Sequence, residues 1–365
     1  MKPLMLLGTI VAFHSLSCSR SQNGAGISYV YVTNNDVSSL SIFRAGASAD
    51  PLQSVQTLPT PGGGATYCEV HPSGRFLFVS AQVANAVSSY AIGPDGTLSL
   101  VSGSTVTTGA NPHNLATDPA GRFLYVANTS SDSVSGFSIR SDGTLAEIAG
   151  SPFATGHVPY DVKVSGSGKY AYVTNRDSED ISIFSLDAAT GKLTPVGPNP
   201  FPIGCPAPPC GPRAIEFTPD GKRAFVVNRF SSDVYVFTVD AANGTLQAGA
   251  APRFLAGTDP RSAAVDPSGR YLYVPNTVSN DVSAYAIDSD TGALAELTGS
   301  PYAVGAVPLG VEMDTAGRRL YVANSGSNSV SVFSVDPATG RLAPVATVPT
   351  AGSAFSIALA ELSGT

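Results

Sequence analysis

The 365-residue chain repeats one short phrase seven times. Aligned on a single valine, the copies read YVYVTN (Val32), FLFVSA (Val79), FLYVAN (Val126), YAYVTN (Val173), AFVVNR (Val226), YLYVPN (Val274) and LYVANS (Val322). The valines stand 47, 47, 47, 53, 48 and 48 residues apart. Only the step into Val226 is long, and it carries the insertion GCPAPPCGP. A period in this range without a helical pattern restricts the chain to folds in which each copy is a small sheet covered by its neighbours.

The unit that opens at Asp259 shows the plan. PRSAAVDP reads as a strand, PSGR as a turn and YLYVPN as a second strand. VSAYAID alternates with period two as a third strand, and ALAEL, after the turn SDTG, begins a fourth. Turns of the kind PSG, PDG, ATG and ANG place glycine where φ must be positive. Seven four-stranded units predict an all-β fold, a seven-bladed β-propeller of antiparallel blades. The first copy, YVYVTN, is a second strand without a first; AFSIALAEL near the end is a first strand without a second. The C-terminal strand is therefore expected to complete the N-terminal blade and leave no open edge, in one domain over residues 27–365.

The YVTN of residues 31–34 and 172–175, with DPSGRYLYVPN, DVSAYAID and TGAL, resembles the YVTN-type repeats of the seven-bladed lactonase family. That family includes the bacterial 6-phosphogluconolactonase type and fungal carboxymuconate cyclase. The resemblance covers the chain from about Ile27 onward. It implies lactone chemistry at the channel mouth, with a Pro-His pair opening one blade, matched here by Pro112 and His113. It also implies a later GPRH strand followed by VxNE. Gly211, Pro212 and Arg213 agree with that pattern, whereas Ala214 stands in place of the histidine and Arg229 in place of the glutamate. Two candidate proton-transfer groups are thus missing.

In a propeller the first strand of each blade lines the central channel, and its start shares a face with the loop between strands two and three. Read along the repeats, the residue after the opening dipeptide is Tyr67, His113, Tyr160, Arg213, Arg261, Leu309 and Phe355. The residue after VxN is Asn35, Gln82, Thr129, Arg176, Arg229, Thr277 and Ser325. Four arginines, a histidine and two tyrosines are expected around one opening, whereas Arg75, Arg122, Lys169, Lys222, Arg270 and Arg318 fall in turns on the opposite face. Arginine presents a planar fork of donors suited to carboxylate or phosphate. The competing reading of each arginine is that it satisfies carbonyls or nearby acids such as Asp177, Glu179 and Asp233.

The opening MKPLMLLGTIVAFHSLSCSRSQNG reads as an export signal over residues 1–18, with Lys2 before an apolar run at residues 4–13 and a linker at 19–26. Cys18 after SLS is a candidate lipidated residue; secretion with cleavage nearby is the alternative. The expected location is the cell envelope, periplasmic or outer-membrane, or the exterior. In an oxidising compartment Cys205 and Cys210, five apart, are expected to form a disulfide, and Cys68 to be a buried thiol. Charged residues make up 13 % of the chain and the net charge is −7, which gives no electrostatic basis for nucleic-acid binding. No metal-ligand or phosphate-loop pattern is present, so no cofactor and no metal are expected, and membrane contact only through a lipid anchor.

Two functional readings follow. In one, an enzyme hydrolyses an anionic sugar or carboxylate lactone, with His113 as base, Arg213 at the reacting carbonyl, and Tyr67, Tyr160, Arg176, Arg229 and Arg261 holding the ligand. In the other, a non-catalytic binding or surface-scaffold propeller uses the same mouth for a small anion, or its outer faces for an unknown protein partner.

Overall fold

A computed structural model describes residues 27–46 and 52–362. Among these residues every regular element is a β-strand, and the strands form seven antiparallel sheets. Blade one runs from channel to rim as Ala65–Val70, Phe76–Ala81, Ala86–Ile92 and Leu98–Leu100. Blades two to six open on Pro112–Thr117, Pro159–Val164, Pro212–Phe217, Ala264–Val265 and Pro308–Met313. Blade seven takes Ala354–Leu362 as its inner strand and Ile27–Asn34 as its second, joined by the pairs Val32↔Ile357 and Ile27↔Leu362. The expected closure by the chain ends is present. The export signal and Cys18 lie outside the described residues.

Two details differ from the sequence reading. The fourth strand is split in blades one, two, three and five. In blade two, Leu145–Glu147 and Phe153–Ala154 both pair with the third strand. The inner strand of blade five is short: it pairs at Pro260↔Asn276 and again only at Ala264–Val265.

The repeated phrase explains how the ring holds. The tyrosine before the aligned valine reaches the next blade: the hydroxyls of Tyr31, Tyr125, Tyr172 and Tyr273 donate to the carbonyls of Gly96, Gly191, Gly244 and Gly340 at 2.6–3.1 Å. Blades one and four carry Phe78 and Phe225 there and lack this latch. The asparagine of the phrase ties the mouth loop. Asn34 Nδ2 donates to Ser39 and Ser41, and Asn128 to Ser133 and Ser135. Buried apolar side chains form seven clusters, each drawn from two neighbouring blades; Tyr125, Val134 and Phe153 of blade two meet Val162, Val173 and Phe184 of blade three. No blade is covered until its neighbours are in place, as the repeat length requires.

Candidate functional site at the channel mouth

Entry into the inner strands sets the site. In blades one to six the residue just before the opening Ala65 or proline has positive φ: Gly64, Asn111, Val158, Gly211, Asp259 and Val307, at 55–69°. A bulge follows, so the strand pairs at its first residue and resumes one position late, as between Pro159 and Asp161. At Gly211 glycine is also required sterically, because a Cβ would collide with the Phe230 ring. The residue in the bulge is turned toward the channel mouth. Counted from the partner of the aligned valine, these residues are His113, Tyr160, Arg213, Arg261, Leu309 and Phe355, as the repeats predict.

Blade one departs from this register. It opens on glycines and Ala65 without a proline; Ala65 pairs with Ala81 and Cys68 with Val79, so Thr66 holds the position assigned to Tyr67. Tyr67 sits one residue deeper, level with Asp161 of blade three. Its ring still reaches the cluster, 4.7 Å from His113 and 5.6 Å from Phe355 between centroids.

His113 and Arg213 form the buried centre, 5 % and 4 % exposed. The imidazole packs edge-on to Tyr160 at 4.5 Å, and the Arg213 guanidinium lies 4.0 Å above the same ring. His113 Nδ1 is 3.3 Å from the Tyr160 carbonyl, which can only accept, so Nδ1 carries the proton. Nε2 is then the lone-pair nitrogen, 3.5 Å from Arg213 Nη2. Burial, and then the charges of Arg213, Arg261 and Arg176, hold the His113 pKa well below the usual histidine range. The imidazole is therefore neutral, and the lone pair of Nε2 faces the Arg213 Nη2 donor. Burial also pushes the Tyr67 phenol up and the Arg213 guanidinium down.

The four arginines do not share one fate. Arg176 Nη2 pairs with Asp177 at 3.1 Å and its Nη1 donates to the Tyr160 hydroxyl at 3.0 Å. Arg229 and Arg261 both grip Asp259, at 2.8 and 2.7 Å. Among the described residues Arg213 has no carboxylate partner, and its Nε is buried without a hydrogen-bond acceptor. The competing reading of these arginines thus holds in part for three of them, with Asp259 as the acid for two. Sequence reasoning missed Asp259; its place just before Pro260, beside Arg261, was the available signal.

Cys205 and Cys210 are joined in a disulfide, and Cys68 is a buried free thiol. The disulfide loop leads directly into the Arg213 strand. The Cys210 carbonyl accepts from the backbone N–H groups of Phe230 and Ser231, and Gly211 from Arg229. The insertion braces the entry of the strand that carries the unpaired arginine. Ala214 follows, buried and without proton chemistry.

A second charged layer lies further along the channel and was not foreseen. The residue after each valine partner is Glu69, Ala116, Lys163, Glu216, Ala264, Glu312 and Ala358, one belt in equivalent register. Lys163 Nζ bonds Glu216 at 2.5 Å, and Thr117 donates to Glu69 at 3.3 Å. Burial raises Glu69 to about 7 and Glu312 to about 8, while Asp161, two residues before Lys163, rises to about 6 from the same cause. A cavity of about 310 Å³ opens beside this belt, and none of the mouth residues line it. Among the described residues no group of His, Cys, Asp or Glu converges closely enough to hold a metal ion.

No curated protein matches the sequence. Among solved structures, a Bacteroides fragilis protein described as a "putative 6-phosphogluconolactonase" superposes with a TM-score of 0.80 at 24 % identity, covering 92 % of this chain and 98 % of that one. The periplasmic gluconolactonase PpgL of Pseudomonas aeruginosa gives 0.79 at 23 % identity, covering 92 % and 99 %. At such identities the likeness shows the fold alone. The family model described as "Lactonase, 7-bladed beta-propeller" matches residues 21–152, 119–207 and 205–359. On that match, which spans most of the sequence, the chain belongs to the lactonase family of seven-bladed β-propellers.

Proposed function

We propose that this chain is an exported propeller whose channel mouth binds a small anionic lactone and opens its ring. The observation that carries the reading is Arg213: a guanidinium 4 % exposed, without a carboxylate partner and with a buried Nε lacking an acceptor. A buried charge without a counter-ion is costly, and a ligand oxyanion or carboxylate would supply the missing partner. Tyr67, Tyr160 and Phe355 give the ligand aromatic walls, and Arg176, Arg229 and Arg261 make the surroundings positive.

Ring opening needs a base, an oxyanion stabiliser and a proton for the leaving alkoxide. His113 Nε2 takes a proton from water as the hydroxide attacks the carbonyl carbon; Arg213 stabilises the developing oxyanion. When the ring C–O bond breaks, the imidazolium returns the proton to the alkoxide, giving the hydroxy acid. The low pKa of His113 keeps it deprotonated near neutrality but makes it a weak base. With Ala214 contributing no second proton-transfer group, this favours a second reading, in which the mouth binds the hydroxy acid without turning over a lactone. Export is supported by the leader, by the disulfide and by the likeness to PpgL, a periplasmic protein; lipidation at Cys18 rests on the sequence.

A panel of sugar and carboxylate lactones, including gluconolactone and carboxymuconolactone, tests the chemistry. Turnover that disappears in His113→Ala supports hydrolysis. Absence of turnover, with saturable gluconate or citrate binding that depends on Arg213, supports the binding reading. Neither turnover nor Arg213-dependent binding refutes both. Metabolic labelling with palmitate in wild type and Cys18→Ser tests the anchor.

A further inference from the structure

We propose that Ser80 and Thr174 are positioning residues of the mouth, a role that rests on the chemistry assigned above to His113 and Arg213. Each holds, from the preceding blade, the backbone of one member of that pair. Both hydroxyls stand directly after the aligned valine on a second strand, in Phe76–Ala81 and Tyr170–Asn175, and both residues are fully buried. Ser80 Oγ lies 2.7 Å from the His113 carbonyl and 3.4 Å from that of Tyr67, so its proton goes to His113; it accepts the Tyr67 N–H at 3.0 Å. Thr174 Oγ1 donates to the Arg213 carbonyl at 3.2 Å and accepts the Asp161 N–H at 3.3 Å.

The arrangement is selective. As bulge residues, His113 and Arg213 have no ladder partner in their own blade, so their side chains are aimed by backbone that the sheet does not fix. A hydroxyl bridges to the next blade where the position holds Thr33, Ser80 or Thr174; elsewhere it holds Ala127, Val227, Pro275 or Ala323. Thr33 makes the equivalent bond to the Thr66 carbonyl, at 2.8 Å, and accepts the Ser356 N–H at 3.0 Å. The mouth residues Tyr160, Arg261, Leu309 and Phe355 receive no hydroxyl from that position. The two residues assigned the chemistry do.

The alanine of blade two belongs to the same arrangement. Ala127 packs toward blade three with Val162 and Val173 and offers no donor, and the Tyr160 carbonyl is met instead by His113 Nδ1. Donors therefore follow one another round the mouth: Ser80 to the His113 carbonyl, the imidazole to the Tyr160 carbonyl, Thr174 to the Arg213 carbonyl. Arg213 is held a second time, because Asp161 Oδ2 accepts the Ile215 N–H at 2.9 Å, two residues further on. His113 is thus fixed at its backbone by Ser80 and at its ring by Tyr160, and the second tie depends on the first. Once the backbone of His113 drifts, the 3.3 Å contact of Nδ1 is lost. The ring proton can then move to Nε2, and the tautomer that serves as base at Nε2 is no longer enforced.

The test is proton–nitrogen correlation NMR near neutral pH on the full chain, labelled with heavy nitrogen in histidine, which separates protonated from bare ring nitrogens. The His113 signal is identified by its loss in His113→Gln. Wild type should show one neutral tautomer, with the proton on Nδ1. Ser80→Ala should give a mixture of tautomers and lower kcat for any lactone turned over by about tenfold or more, with little change in KM. Ser80→Thr, which restores the hydroxyl in the form that blades three and seven use, should restore both. Thr174→Val, which keeps shape and removes the hydroxyl, should weaken gluconate binding by about tenfold. Thr33→Val breaks the same bond at a mouth position without a reacting group; it should lower thermal stability as Ser80→Ala does and leave the tautomer and gluconate binding as in wild type. The tautomer is read without turnover or anion, so it decides the role of Ser80 even where the lactone reading fails. A proton on Nε2 in wild type, an undisturbed tautomer in Ser80→Ala, or an equal disturbance in Thr33→Val would each overturn the proposal.

Discussion

Replacing Arg213 by methionine should make the unliganded protein more stable while removing its response to an anion. The guanidinium is buried with no acid partner, and its Nε is orphaned. Replacing a buried ion pair by apolar side chains is neutral or stabilises by about 1–4 kcal/mol, and a buried cation that lacks its acid should gain on that scale. Loss of the contact with the Tyr160 ring, 4.0 Å away, returns about 0.5–2 kcal/mol. The net gain is about 1–2 kcal/mol. At about 2.1 cal/mol/K per residue, a chain of 365 residues has an unfolding entropy of roughly 0.8 kcal/mol/K, so the gain raises Tm by about 1–3 °C. In wild type, a ligand at about a hundredfold excess over its Kd adds about 2.7 kcal/mol, or roughly 3 °C. Thermal unfolding of both proteins with and without gluconate should therefore cross over: Arg213→Met melts higher alone and does not move with ligand. A mutant that melts several degrees lower without ligand would mean that Arg213 is a satisfied structural residue, and the charge argument for the mouth would fail.

Two further outcomes follow from the channel and the ring. Glu69, Asp161 and Glu312 have folded-state pKa values raised to about 7, 6 and 8, so between about pH 4 and 8 these three sites hold more protons in the folded chain than in the unfolded one and their contribution to stability falls as pH rises, opposed by the depressed His113. The turn aspartates Asp95, Asp142, Asp187, Asp288 and Asp336 are pulled below their ordinary range, chiefly by hydrogen bonds within their turns; their contribution is present above that range and lost in acid. Tm should therefore peak at mildly acidic pH, and Glu312→Gln should flatten the alkaline decline; a profile rising steadily to pH 8 contradicts this. Tyr125→Phe strips the donor from the buried Gly191 carbonyl, bonded at 2.6 Å, and should cost about 1–3 kcal/mol in denaturant unfolding, whereas Phe78→Tyr should bring no comparable loss; an unchanged Tyr125→Phe midpoint would remove the latch from the account of the ring.

Blade count, closure and the mouth set could be read from the chain because each follows from register against one valine. That logic carried His113, Tyr160, Arg213 and Arg261 to the correct layer. It misplaced Tyr67 by one residue where glycines replace the opening proline, since a bulge without its usual marker cannot be counted from sequence. Asp259 escaped notice because pairing across a mouth depends on side-chain reach between blades, which spacing does not encode. The belt of Glu69, Lys163, Glu216 and Glu312 obeys the same register as the mouth and was within reach of the alignment. What no register supplies is the protonation of His113, which arises from burial and from three arginines contributed by other blades.

The seam between Ile27–Asn34 and Ala354–Leu362 has a practical consequence for handling this molecule. Ile27 and Leu362 lie side by side, while the opposite ends of the two strands, Asn34 and Ala354, reach the mouth. A tether or reporter fused before Ile27 or after Leu362 therefore departs from the base of the ring. Immobilised by either attachment, the protein would present its arginine-lined opening to the bulk liquid, whichever end is held.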